Sequence, residues 1–347
     1  MSADSRSITV DSIGPGVTIQ DGGRPGLLSV GLSRGGAADV AALREGAVLL
    51  GQSADLAALE LAGMGGKFRA SCDLRLALTG APMVATLEGQ PLRWNAAHHW
   101  PAGTQLSIGA ARTGVYGYLH LGGGLDTPLV LGARSAHLAG GVGRPVAAGD
   151  TLPVGPDPNL SAPAQYLPVP DRCSGGVLRI VASAQTDLFT QAERARFTAT
   201  VFTRDPRGNR QGVRLAFDGA PFAVEGGLNI LSEIVVPGDV QVTGDGSPFV
   251  LLGECQTTGG YPRIGTVLPV DLPRVAQAAP GTALQFQFVS LAEGLAITRA
   301  ADAATARLSG QLARLIRDPH DIRDLLSYQL IGGVTAGHEL NEEPPKP

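Results

Sequence analysis

Residues 27–50 read LLSVGLSRGGAADVAALREGAVLL, and the fold turns on how this stretch is taken. Gly31-Leu32-Ser33-Arg34-Gly35 matches G-x-S-x-G, with a short apolar run ahead of it (27–30) and a helical pattern behind it (37–50). Strand, sharp turn and helix form the context of a nucleophile elbow, which would make Ser33 the nucleophile of an α/β hydrolase, with Asp126 and His137 as partner candidates. Against this, the elbow would come unusually early, and no alternation of strands and helices follows it. Short apolar runs follow instead, at 74–79, 115–121, 177–182, 249–252 and 284–289, each bounded by Gly, Pro or Asp. Runs of that length and punctuation are strands. The stretch 27–50 therefore contributes a helix to a mainly β protein.

Composition agrees. The 48 glycines and 25 prolines, with no collagen period, supply the turns that many short strands need. At 347 residues the chain is long enough for about two domains of about 150 residues. The Pro-rich, aperiodic stretch around 150–173 marks the boundary. The expected organisation is a first β-barrel-like half at 7–155, a Pro-rich crossing at 156–175, a second half at 176–295, and a helical extension with a frayed tail at 296–347. Within that extension, 300–326 is Ala/Leu/Arg-rich and reads as helix, broken at Asp318-Pro319. Turns at 101–106, 147–152 and 280–284 echo one another, as do 15–20 and 237–241; duplication or turn chemistry alone could produce this.

Several function classes drop out. A net charge of −4, scattered Lys and Arg, and 5% aromatics leave no stripe for nucleic acid. Cys72, Cys173 and Cys255 are odd in number and far apart, which supports neither a disulfide framework nor a zinc knuckle. No apolar run approaches the ~20 residues of a membrane span, and MSADSRSITV lacks a signal core, so a cytoplasmic protein is expected.

Two turns concentrate polar chemistry. Gln20-Asp21-Gly22-Gly23-Arg24-Pro25-Gly26 packs an amide, a carboxylate and a guanidinium together, either as a binding site or as an Asp–Arg pair closing a surface turn. Gln256-Thr257-Thr258-Gly259-Gly260-Tyr261-Pro262 brings an amide, two hydroxyls and a phenol to a Gly-Gly turn, a binding loop or a plain hairpin. Gly122-Gly123-Gly124-Leu125-Asp126 lacks the lysine and hydroxyl of a P-loop. The stretch 63–67 has Lys67, but Phe68 follows where a hydroxyl is required. Asp39 and Glu60 are each a buried acid or a surface charge. His98-His99 has no ligand companions, and no metal site is expected.

These segments, in this order, resemble the carboxyltransferase subdomain A/B family, which includes the C subunit of 5-oxoprolinase, biotin-dependent carboxyltransferases, allophanate hydrolase subunit 2-like and KipA-like proteins. The resemblance spans roughly 7–295. It rests on GPGVTIQDGGRPG (14–26), LGQSADLAALE (50–60), YLHLGGGLD (118–126), LGARS (131–135), NRQGVRL (209–215), LSEIVVPGDVQV (231–242) and QTTGGYPRIG (256–265). It implies two cyclophilin-like β-barrel halves, and an ATP-dependent 5-oxoprolinase that opens the lactam to glutamate beside a KipI-like B subunit and a LamB/YcsF-like A subunit. ATP would be bound with or by a partner. One alternative is the carboxyltransferase component of a urea amidolyase-type system, with biotin carried on another protein. Another is a non-catalytic antagonist of a kinase-inhibitor protein. On this resemblance Asp21, Asp39 and Arg24 are the catalytic candidates. Gln20, Arg134, Ser135, Arg210, Arg214, Gln241, Gln256, Thr257, Thr258 and Tyr261 would bind the small amide substrate. The chain departs from the family at Gly35-Gly36-Ala37-Ala38, where a hydroxyl is missing, at Gly46 and Gln52 in place of an Asn pair, at Thr243 in place of Pro, and at Ser135-Ala136 in place of Ser-Thr.

Overall fold

A computed structural model of the protein describes residues 6–224 and 227–315. Among them the strands sort into two open sheets, one closed barrel and a two-stranded ribbon, Glu233–Ile234 with Thr258–Gly259. The first sheet runs Thr151–Pro153, Ser7–Ile13, Gly66–Ala70, Gln105–Ala111, Met83–Leu87, Gln90–Pro91. The second runs Thr18–Gln20, Ala58–Ala62, Tyr116–Leu121, Leu74–Gly80, Ala96–Trp100, Gln165–Tyr166, Ala313–Arg314. A buried apolar cluster drawn from both, including Ile8, Phe68, Leu76, Trp100 and Leu119, makes one core. The barrel runs Gly176–Val181, Arg263–Val267, Asp239–Val242, Pro248–Leu251, Gly212–Ala216, Phe202–Arg204, Ala283–Phe288. It closes where 176–180 pairs in parallel with 284–288.

Among the described residues the second half closes into a barrel by strand pairing, while the first half is built of two sheets around one shared core. The first sheet ends on a two-residue edge strand carrying Pro91, which has no N–H to extend a ladder. The barrel is filled by a phenylalanine cluster in which the Phe197 ring lies 4.7 Å from Phe286, 5.1 Å from Phe202 and 5.4 Å from Phe222. Ala42, Leu43, Tyr116 and Tyr118 of the N-terminal part join this same core, so the halves share buried surface.

Four helices occur among the described residues: α1 (Val40–Leu50), α2 (Gln191–Ala199), α3 (Leu272–Gln277) and α4 (Leu291–Ala306). Asp39 caps α1 by accepting from the Ala42 N–H, and Gly51 ends it in the left-handed region. Residues 28–30 form a 3-10 turn, not a strand, because Gly26 and Gly31, both at positive φ, isolate them from any ladder. The elbow context of Ser33 is thereby lost. The C-terminal helix also departs from expectation. It starts at Leu291 on a Ser290/Glu293 capping box and stops at Ala306; the anticipated helix does not continue, since Leu308–Gln311 is a 3-10 turn and Ala313–Arg314 a strand, and the stretch from 316 on, with Asp318-Pro319, lies outside the described residues. The Pro-rich crossing is no free linker. Gln165–Tyr166 joins the second sheet, Leu167 is buried, and Arg172 is clamped between Asp39 and Glu45.

Candidate functional site

The turn at 20–24 packs against the loop at 130–136. The Asp21 carboxylate is buried and accepts the N–H groups of Gly23 (2.9 Å) and Arg134 (2.6 Å) and the Ser135 hydroxyl. Arg24 is also buried, but it does not pair with Asp21. It donates to the carbonyls of Val130 (2.8 Å), Ala133 (3.3 Å) and Ser135 (2.5 Å), and burial lowers its pKa against the opposing pull of Asp21. Asp21 and Arg24 therefore do not close the turn as an ion pair; each is buried and anchors the loop at 130–136. Gln20 is buried too, donating to Thr18 and to the Ala136 carbonyl.

Residues 34–37 carry this cluster to the barrel. Arg24 N–H donates to Arg34 O, Ala37 N–H to Asp21 O, and Gly35 N–H to Gly253 O at 2.8 Å. Gly36 is required here: its φ is 83°, and a Cβ would come within 2.7 Å of the Gly23 nitrogen. Beneath this strap lies a buried ionic junction. Arg210 donates to Glu60, to Glu254 Oε1 (2.6 Å) and to the Gly36 carbonyl. The other Glu60 oxygen accepts from the Tyr118 hydroxyl (2.7 Å) and the Ala38 N–H (2.8 Å), and Glu254 Oε2 accepts from the Ala139 N–H. Burial alone would lower the Arg210 pKa, but Glu60 and Glu254 outweigh it and hold the guanidinium charged. The Tyr116 phenol is pushed up to about 12, first by burial and then by Glu60.

Past Gly253 and Glu254 comes the second polar turn. Gln256 Nε2 donates to the buried Gln241 Oε1 at 3.2 Å, Thr257 O accepts from the Val235 N–H, Thr258 pairs with Ile234 in a two-stranded ribbon, and Tyr261 is exposed. The structure thus gathers Gln20, Asp21, Arg24, Arg134 and Ser135 at one end of the strap. Arg210 lies beneath it, and the turn carrying Gln256, Thr257 and Thr258 follows directly from its other side.

Two expected site residues are engaged elsewhere. Asp39 is wholly buried: its oxygens accept from Ala42 N–H, Arg172 Nε (2.6 Å) and Gln277 Nε2 (2.8 Å), away from the strap and its two polar turns. Arg214 pairs with Asp245 and Ser247, beside the turn that joins Asp239–Val242 to Pro248–Leu251. Glu254, Tyr116 and Tyr118 were not anticipated. The signal available was a carboxylate alone in an apolar run, as in LLGEC, where a buried and paired charge is the usual outcome.

Ser33 and His137 do meet, with Oγ and Nε2 2.9 Å apart and both residues buried. His137 Nδ1 accepts from the Gly140 N–H, so Nε2 carries the proton and donates to Ser33. A general base needs that lone pair free. Asp126 pairs with Arg134 instead of His137. The adjacent His98 and His99 point to opposite faces of one strand, buried and exposed respectively, and cannot share an ion. Among the described residues no group of three His, Cys, Asp or Glu could hold a metal, and no helix is long and apolar enough to cross a membrane.

The profile of the family described as carboxyltransferase domain, subdomain A and B, matches residues 30–288. The chain belongs to this carboxyltransferase family. Among other members, the 5-oxoprolinase C subunit of Haemophilus influenzae is 34% identical over 286 residues, covering 81% of this chain and 91% of that one. The crystal structure of TTHA0988 superposes with a TM-score of 0.74 at 33% identity over 82% of this chain, which spans 56% of TTHA0988. The Kluyveromyces lactis urea amidolyase, at 23% identity, shares the fold with a TM-score of 0.79 over 92% of this chain and 21% of that one. The glycine turn at 122–124 offers no cradle for nucleotide phosphates. The glycines at 122–124 pack on the crossing, where a Cβ on Gly123 would lie 2.2 Å from Gly155 O, and exposed Lys67 is the one lysine among the described residues.

Proposed function

We propose that this chain is the C subunit of a cytoplasmic, ATP-dependent 5-oxoprolinase that opens the lactam of 5-oxo-L-proline to L-glutamate together with B- and A-type subunits. The observation that carries the proposal is the 34% identity to the 5-oxoprolinase C subunit across 91% of that protein's length. Lactam hydrolysis breaks the ring C–N bond, adds water's hydroxyl to the carbonyl carbon and leaves its proton on the amine. In this reading the nucleotide is bound with or by a partner, since the glycine turn at 122–124 offers no phosphate cradle.

This chain would present the strap and its two flanking turns to the lactam. Gln256, Thr257, Thr258 and Tyr261 offer hydrogen bonds to a small amide. The Arg134 guanidinium, on a loop whose backbone Asp21 holds, offers donors to a carboxylate, beside Ser135 whose hydroxyl donates to Asp21. Arg210 holds the two halves in register beneath them. The test is turnover by the chain reconstituted with its B- and A-type partners, following glutamate from 5-oxoproline, with urea and carboxybiotin as the alternative substrate pair. The isolated chain is expected to be inactive. Asp21→Asn and Thr257→Ala are each expected to lose about 10²–10⁴-fold in rate. Robust turnover by the chain alone, or full activity in both variants while folded and partner-bound, sinks the reading.

A further inference from the structure

The Arg263 guanidinium, on the barrel strand Arg263–Val267, reaches the ribbon formed by Glu233–Ile234 and Thr258–Gly259. Nη1 donates to the Ile234 carbonyl (2.9 Å) and to buried Asp239 (3.2 Å), and Nη2 donates to Glu233 (2.7 Å). Gln185 closes the network. Its side-chain oxygen accepts from the Arg263 backbone N–H (2.9 Å) and Nε (3.2 Å), and its Nε2 donates to the same Glu233 oxygen (2.7 Å). Asp239 and Gln185 thus fix the planar fork of Arg263, and the fork fixes the ribbon. The ribbon needs such a clamp. Glu233 and Ile234 are exposed, Leu231 beside them is 87% exposed, and a two-stranded ribbon is marginal in water by itself. Val235, buried with Leu251 and Cys255, seats the end of the strand but leaves 233–234 at the surface.

What the ribbon carries is the second polar turn. Val235 N–H donates to Thr257 O (3.0 Å), Ile234 and Glu233 pair with Thr258 and Gly259, and Ile230 N–H donates to Gly260 O (2.9 Å). Against this turn Gln241 Nε2 is buried without a hydrogen-bond partner, and a Cβ on Gly259 would come within 2.4 Å of it. A buried donor with nothing to donate to is unfavourable, and a ligand acceptor at the turn would relieve it. We propose that Arg263 is the positioning residue of the lactam site: through Glu233 and Ile234 it sets where Thr257 and Thr258 stand, and so how tightly a small amide is held. Arg263 acts through the ribbon and touches no substrate itself. The inference rests on the reading of this turn as part of the substrate site.

The test uses the chain reconstituted with its B- and A-type partners, following glutamate from 5-oxoproline. Glu233→Ala removes the ribbon's end of the clamp at a half-exposed side chain, and Arg263→Gln removes the barrel's end. Each is expected to lower kcat/KM about 10–100-fold, mainly through a higher KM, because the turn binds substrate and a shift of about 1 Å is enough. The double variant is expected to match Arg263→Gln, since both changes act through one contact. Arg144→Ala, which breaks the exposed Arg144–Asp150 pair in the other half, is expected to behave as wild type. Hydrogen exchange of the full-length chain gives the readout that a merely structural role would not move. The amides of Ile230 and Val235 are expected to exchange about 10-fold faster in both variants, and those of Leu268 and Val289 in the barrel at the wild-type rate. If wild type turns over and both variants match it, Arg263 positions nothing and the reading above stands. If the variants slow turnover while Ile230 and Val235 exchange as in wild type, or while Leu268 and Val289 open with them, the proposal falls. If the wild-type complex does not open 5-oxoproline at all, the reading above fails and takes this inference with it.

Discussion

Replacing Arg172 with Met tests whether the crossing segment is a structural clamp. Arg172 donates to Asp39 Oδ2 at 2.6 Å and to both oxygens of Glu45 at 2.8 and 2.7 Å. Asp39 and Glu45 are 0% and 6% exposed at the side chain, so the substitution strands two carboxylates in the protein. Removing one partner of a buried ionic group costs about 3–5 kcal/mol, a large part of an ordinary domain's stability of about 5–15 kcal/mol. Asp39 retains the Ala42 N–H and Gln277 Nε2 as partners. Glu45 has no such reserve, and its escape is to bind a proton. For a glutamate with a reference pKa of about 4.3, neutralisation costs about 4 kcal/mol at pH 7.5 and about 1 kcal/mol at pH 5.

The sign follows from that escape. Burial already pushes the Glu45 pKa up, with Arg172 as the chief counterweight, and the variant loses the counterweight. A carboxyl raised in the folded state destabilises where it ionises in the unfolded chain, so the deficit grows as pH rises through the carboxylate range. Urea unfolding of wild type and Arg172→Met at pH 7.5 should differ by about 3–5 kcal/mol, shrinking to about 1–2 kcal/mol at pH 5. Comparison at equal pH cancels other titrations. Adding Glu45→Gln to the variant should remove most of the pH dependence. A loss under about 1 kcal/mol at pH 7.5, or one identical at both pH values, would refute the clamp.

Other outcomes are as specific. Gly46→Ala sets a Cβ 2.3 Å from three ring atoms of buried His120 and should cost about 1–3 kcal/mol despite the helix-propensity gain of about 1 kcal/mol; His120→Ala in the same chain should abolish that cost. Burial drops the His120 pKa to about 3, so stability should fall with acidification between about pH 6.5 and 3, by up to about 1.4 kcal/mol per unit, and His120→Leu should flatten that slope. Cys72 alone should react quickly with a thiol reagent in the native protein, because burial pushes the Cys173 thiol up to about 11 and that of Cys255 to about 12. Phe197→Ala should destabilise by about 3–5 kcal/mol, measured by chemical unfolding, since its ring touches three other phenylalanines at the barrel centre.

Much of the fold was legible because local pattern and final packing agree. The runs at 74–79, 177–182 and 284–289 are strands at Leu74–Gly80, Gly176–Val181 and Ala283–Phe288, to within a residue. Misreadings arose where a short-range signal was overridden or passed over. LLSV at 27–30 has strand composition, but glycines on either side deny it a partner. The start of α4 was written in Ser290-Leu291-Ala292-Glu293, a capping box outweighed by the Ala/Leu content further along. Barrel closure was beyond reach, because it depends on a parallel pairing between segments about 100 residues apart, which no local pattern encodes.

The site was legible only as a pair of polar turns, and what joins them explains why. The join is glycine and charge. Gly35 and Gly253 meet backbone to backbone, and Arg210 reaches Glu60, 150 positions away, to hold the two halves under that contact. Spacing in the sequence reports none of this, since each residue type fits its own local turn or strand equally well. The same physics separates Asp21 from Asp39, which look alike as acids beside glycines. Asp39 ties together α1, the crossing through Arg172 and α3 through Gln277, so its loss is expected to loosen the fold. Asp21 is held by two backbone N–H groups and one hydroxyl, and the residues it holds, Arg134 and Ser135, lie beside the strap that joins the two polar turns. Activity lost in Asp21→Asn with stability kept, against stability lost in Arg172→Met, is the contrast that divides site from scaffold in this chain.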